Sequence, residues 1–147
     1  MEKTEDLLVK VNYQKSLKQA IGAVGYEKIN KNVENFKKQT PDGLLKDKEI
    51  IKVALFNFSH TIFYDYGQII SVMNKEGYRP ATFMELLAFC TQFETSKSIL
   101  ALGSIHNDHD GPYAPCSGRG DNELMYFYVG SSQAMYSPWY FMGVKLA

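Results

Sequence analysis

The sequence predicts an α+β domain in which two to three helices pack on a mostly antiparallel sheet. Three observations lead there. Residues 77–89 pass from an extended piece, with Arg79 held in β space by Pro80, into a helix that opens at Thr82. Residues 49–58 alternate with apolar side chains on both sides, which suits a strand covered on both faces. An aromatic content of 14%, with ten Tyr and nine Phe, favours strands in the second half of the chain.

Length and composition set the frame. The 147 residues suffice for one domain with its own core, and 45% hydrophobic with 22% charged residues is ordinary for a globular protein. Net charge is zero, yet residues 1–60 hold 11 Lys against 8 acids and residues 61–147 hold 5 basic residues against 8 acids. That asymmetry is too small for a nucleic-acid footprint, which needs a clustered basic face. The charged start has no apolar run behind it to make a signal peptide, and no window approaches the ~18 apolar residues of a membrane span. A cytoplasmic location is therefore the default. Two cysteines, Cys90 and Cys116, are too few for a disulfide scaffold, and Cys90 reads as a small core residue.

Taken in order, residues 7–13 read as a first strand, alternating from Val9. Ser16 caps a short helix with Leu17, Ala20, Ile21 and Val24 inward and Gly25 after its end. In residues 26–36, Ile29, Val33 and Phe36 keep a helical spacing, but Asn30, Asn32 and Asn35 weaken any long helix. Residues 39–43 form a Pro-Asp-Gly turn. Strand 49–58 is followed by a helix over 65–75 with Ile69, Ile70, Val72 and Met73 inward. The helix from 83 to about 93 starts with the Thr82-x-x-Glu85 spacing of a capping box, and Phe83, Leu86, Leu87 and Phe89 form its stripe. A short apolar strand follows over 99–104. Residues 105–122 then lose all period in favour of Gly, Pro, Asp, Asn, His and Ser, and read as one long loop. Two aromatic strands, 124–129 and 138–146, close the chain, and the first strand is expected to pair with the last.

Two resemblances attach to these residues. Gly77-Tyr78-Arg79-Pro80-Ala81-Thr82, Glu85-Leu86-Leu87-Ala88 and Ala101-Leu102-Gly103-Ser104, with a closing Phe141-Met142-Gly143-Val144-Lys145, resemble a family of uncharacterised small bacterial and phage-like proteins. No activity attaches to that family. More distantly, Gly77-Tyr78-Arg79, Thr82, Glu85 and the closing strand are similar to the C-type-lectin-like fold of sulfatase-modifying, formylglycine-generating proteins. The chain lacks that group's Trp-Gly-Asn segment and its late cysteine pair, so the likeness implies a scaffold presenting a variable loop and not the activity.

Candidate chemistry gathers in residues 105–122. His106, Asp108, His109 and Asp110 offer nitrogen and oxygen donors. His106, His109 and Asp108 are the candidate ligands of a zinc ion, with Cys116 as a third type of donor, although polar turns carry such spacing without a metal. Cys116 beside a histidine would be a nucleophile and its base. Arg119-Gly120-Asp121 is the tripeptide that integrins read, and it equally suits a turn. Arg79, at the helix start, is free to meet a carboxylate of the loop. Glu85 is explained by its cap and His60 by a strand end. Tyr126, Tyr128, Tyr136, Trp139 and Tyr140 could stack on a ligand, with half of them in the core by alternation.

The leading expectation is a non-catalytic binding module with no required cofactor. It presents 105–122 to a protein partner or small ligand through Arg79, His106, Asp108, His109, Asp110, Tyr113, Arg119 and Asp121. A small metal-dependent or cysteine enzyme using the same loop is the alternative. A subunit of a bacterial or phage assembly, joined as a homo-oligomer through exposed aromatics, is the third. Neither nucleic acid nor membrane is an expected partner.

Overall fold

The computed structural model describes residues 1–36, 48–58, 65–118, 122–131 and 139–147. In chain order its elements are β1 (Glu2–Lys3), β2 (Leu7–Asn12), α1 (Leu17–Val24), β3 (Lys28–Ile29) and a 3-10 turn (Lys31–Asn35). Then come β4 (Lys48–Asn57), α2 (Tyr66–Lys75), β5 (Tyr78–Pro80) and α3 (Phe83–Gln92). The chain continues through β6 (Ser98–Leu100), β7 (His106–Asp108), β8 (Gly111–Gly118), β9 (Glu123–Tyr128) and β10 (Trp139–Lys145). Among the described residues the strands form one ten-stranded, mostly antiparallel sheet, and the fold is α+β.

β4 is the spine, and its alternation explains why. Val53 and Leu55 face a layer holding Leu86 and Phe89 of α3, while Ala54 and Phe56 face Ile69 and Met73 of α2. Helices on both faces bury both sides of the strand. Its two edges are taken by different partners: β1 and β2 on one, β10 on the other. Val53 has Leu7 on one side and Val144 on the other. The expected pairing of first and last strands is thus not formed, because β4 lies between them and supplies an edge to each. The lectin-like arrangement draws no support from the termini.

Two helix starts are as expected, at Ser16 and Thr82, and Asp65, read as the first residue of its helix, is instead the cap of α2. Ser16 with Gln19, Asp65 with Gln68 and Thr82 with Glu85 each close a reciprocal capping box. Residues 101–104 complete the third. The Gly103 N–H donates to the Ala81 carbonyl at 2.8 Å, and Ser104 Oγ accepts from the Phe83 N–H at 2.8 Å. A Cβ on Gly103 would collide with the Ala81 carbonyl, so that position must be glycine for the two segments to close. Residues 77–82 and 101–104 are one device, the socket of α3.

Residues 105–122 are not one loop. β7 and β8 form a hairpin closed at Asp108↔Gly111, and β8 pairs with β9 from Tyr113↔Tyr128 to Gly118↔Glu123. Pro112 and Pro115, which donate no ladder bond, and the small residues Ala114 and Ser117 hide the period of this strand in the sequence. Yet 114–118 are buried. The Pro-Asp-Gly turn at 39–43 lies outside the described residues.

Candidate binding face

The period of two in β7, β8 and β9 separates two sets of side chains. Ala114, Cys116 and Phe127 enter the core against α2. His106 pairs with Tyr113 and Tyr113 with Tyr128, so His106, Asp108, Tyr113, Tyr126 and Tyr128 share the opposite face. Tyr113 and Tyr126 stack with ring centroids 4.2 Å apart and planes within 10°. Tyr128 stands edge-on to Tyr113 at 5.4 Å and is 41% exposed. The inner end of this face is closed by Phe36, which packs on Tyr126 at 5.2 Å.

Two glycines make room for Tyr128. Gly111 opens β8 with φ of 130°, a region that L side chains rarely adopt, and a Cβ there would lie 2.7 Å from the Tyr128 ring. A Cβ on Gly130 would overlap the Tyr128 hydroxyl. The ring therefore lies against bare backbone at both glycines while still open to solvent.

Carboxylates hold the phenols. Tyr113 donates to Asp110 Oδ2 at 2.7 Å, and Tyr126 to Asp108 Oδ2 at 3.1 Å. Asp108 Oδ1 accepts the His109 backbone N–H at 2.8 Å and meets His109 Nδ1 at 2.9 Å. The His109 backbone N–H, then its ring and the Tyr126 hydroxyl, hold the Asp108 carboxyl below the usual carboxylate range. The bond to Asp110 pushes the Tyr113 phenol up to about 12.

The donor set for a metal differs from the one expected. The ligand atoms of Asp108, His109 and Asp110 lie within 4.8 Å of one another, and His106 is not in that group. The turn at His109–Asp110 folds those two residues back beside Asp108, while His106 sits two residues upstream, near Tyr126 with centroids 6.4 Å apart.

Arg79 does not reach this face. It forks onto Glu85, Nη1 to Oε1 at 2.8 Å and Nη2 to Oε2 at 2.7 Å. Glu85, fully buried, also accepts from the Tyr13 hydroxyl at 2.6 Å and the Thr82 N–H at 2.8 Å. Burial alone would push the Glu85 carboxyl up, but Arg79 outweighs it and the group is held below its ordinary range. Glu85 is therefore more than a cap: it joins α3 to β5 and to the residue that follows β2.

The thiol chemistry is also corrected. Cys116 points into the core on the opposite side of β8 from Tyr113, the register partner of His106, so it makes no dyad and gives no metal ligand there. Burial pushes its thiol far up. Cys90 is half-buried and faces a cleft of about 200 Å³ with Tyr26, Lys97 and Ser117 in its walls. There Ser117 Oγ accepts from Tyr26 at 2.8 Å and from Cys90 Sγ at 3.4 Å, and burial raises the Cys90 thiol as well. At both sulfurs burial disfavours the thiolate, the nucleophilic form. His60, Arg119, Asp121 and Tyr136 lie outside the described residues.

In the aromatic tail, Tyr126 and Tyr128 belong to the face, while Trp139 packs on Phe127 at 4.7 Å. Gly111 and Gly130 were missed by sequence reasoning. The Tyr126/Tyr128 alternation beside glycine-flanked ends was the available signal. Among the described residues no helix is long and apolar enough to cross a membrane. No family model matches the chain, and neither a curated protein nor a solved structure is similar enough to inform its function.

Proposed function

We propose that the protein is a non-catalytic binding module whose recognition surface is the aromatic face of β7, β8 and β9. The observation that carries this reading is Tyr128, exposed yet seated over two glycines beside the Tyr113–Tyr126 stack. Folding alone gives no reason to fix an exposed ring so closely, whereas a ligand gains from it. A ring already in position loses little rotamer entropy on binding, and tyrosine offers large apolar area with a polar tip. Cys116 is buried and Cys90 half-buried, and burial disfavours the thiolate in both, which weighs for binding over cysteine catalysis. The two carboxylates of the donor trio already accept phenol hydroxyls, which weighs against a metal as the main occupant.

A panel of short peptides of either charge and neutral oligosaccharides, titrated into ¹⁵N-labelled protein, tests the reading. At least one member should shift the amides of 106–113 and 126–130 saturably, and Tyr128→Ala should abolish the shifts while the variant still unfolds cooperatively, its melting temperature lower by only a few degrees. Shifts gathered around Tyr26 and Lys97, with the hairpin silent, would move the site to the cleft and overturn the proposal.

A further inference from the structure

We infer that this face takes a cationic side chain, the guanidinium or ammonium group of a basic peptide segment. The inference rests on the preceding reading of the face as a recognition surface and names its class of ligand. Three features point to a cation. First, Asp108 and Asp110 sit together at the hairpin turn, and among the described residues neither forms an ion pair with Lys or Arg; the one ion pair there is between Asp108 and His109. Second, the phenols of Tyr113 and Tyr126 donate into these same carboxylates, and a phenol hydrogen bonded to an anion has a more electron-rich ring. Ring faces of that kind attract cations, guanidinium above all. Third, Tyr128 is held open beside them, so a long basic side chain can lay its methylenes on the ring while its head reaches the carboxylates. A neutral sugar would use the rings and bring no positive charge to the two carboxylates. An anion would be repelled.

The test uses the full chain, ¹⁵N-labelled, with hexa-arginine as probe and hexa-glutamate, maltohexaose and zinc chloride in parallel. Hexa-arginine should shift the amides of 106–113 and 126–130 saturably. Binding should weaken with added salt, by about tenfold in Asp108→Asn/Asp110→Asn, and be lost in Tyr128→Ala. Circular dichroism melting of each variant, with Asp110→Asn alone as the milder change, shows that the fold is kept. Saturable shifts with maltohexaose and none with hexa-arginine would overturn the cation while leaving the face a recognition surface. Shifts with zinc alone would overturn it in favour of a metal site. Hexa-arginine binding that ignores the Asn and Ala changes is nonspecific and overturns it as well. Silence from every probe would overturn this inference and the reading on which it rests.

Discussion

Two tyrosine–carboxylate hydrogen bonds of nearly equal length lie at opposite ends of the burial range. Tyr13 donates to Glu85 at 2.6 Å where Glu85 is fully buried; Tyr113 donates to Asp110 at 2.7 Å at the exposed hairpin turn. Around Glu85 every position is taken: Arg79 forks onto both oxygens, and the Thr82 N–H and Tyr13 hydroxyl add one bond each. Asp110 is exposed, so its remaining acceptor positions are open to solvent. Bond length therefore says little about what a contact is for. A satisfied network with no solvent is closed to ligands and ties elements together, whereas a half-solvated one can exchange water for a partner.

The largest effect should come from breaking the closed network. Glu85→Ala leaves the Arg79 guanidinium and the Tyr13 hydroxyl without their acceptor. Removing one member of a buried pair costs about 3–5 kcal/mol. The lower end is expected, because the Arg79 side chain is 25% exposed and can partly rehydrate. Chemical denaturation measures it; a loss below about 1 kcal/mol would make this pair no different from a surface one. The pH dependence sharpens the point. The Glu85 carboxyl is held below its unfolded value, so on acidification the unfolded chain takes up the proton first. Its stabilisation is fully present above a carboxylate's ordinary value of about 4.3 and is lost as pH falls below it. Glu85→Gln should flatten that part of the profile, leaving the slope due to Asp108, described above, and to Asp6. That group is lowered mainly by the Tyr78 hydroxyl, with Lys145 alongside.

A middle effect should come from the support of the open face. Gly111→Ala forces a side chain into a φ of 130° and toward the Tyr128 ring. A loss of about 1–3 kcal/mol is expected, with Tyr128 displaced. The readouts are the denaturation midpoint and the ring-proton shifts of Tyr128. An unchanged ring environment would show that glycine is not what seats it, and the preorganisation argument would fall.

How much of this was legible beforehand differs between the same two regions. The closed network rests on short-range signals. Thr82-x-x-Glu85 specified the cap, and Pro80 the extended approach, because both act within one helical turn. What stayed hidden was the third partner. Tyr13 lies far from Glu85 in sequence, and no local pattern reports such a contact. The same holds for β4, whose two-sided apolar pattern announced a central strand but not which strands would flank it. The open face was read as loop because Gly111, Pro112 and Pro115 obscure a two-residue period whose inward members, Ala114 and Cys116, are small. The acids and histidines were visible. That the turn brings Asp110 rather than His106 to Asp108 depends on a hairpin register that composition does not encode.

The smallest expected effect is also the sharpest test of the contrast. Replacing His106, Asp108, His109 and Asp110 together by Ala removes every carboxylate from the open network. It leaves the Gly111 turn, the β8–β9 ladder and the buried 114–118 segment intact. The Tyr113 and Tyr126 hydroxyls lose their acceptors, but both rings are partly exposed and water can replace the carboxylates. The melting temperature should stay within about 2 °C of the parent, as for surface changes away from packing and strain. A chelator added to the parent protein should leave it equally unmoved. Should both treatments lower the melting temperature by many degrees, Asp108, His109 and Asp110 would be holding a structural ion, since removing the metal or its ligands then removes the same folding energy. A drop in the quadruple variant alone would mean that the carboxylates support the stacked rings as Glu85 supports α3. Open and closed networks would then be one kind of structure, and a hydrogen bond's exposure would not have told which of them is free to bind.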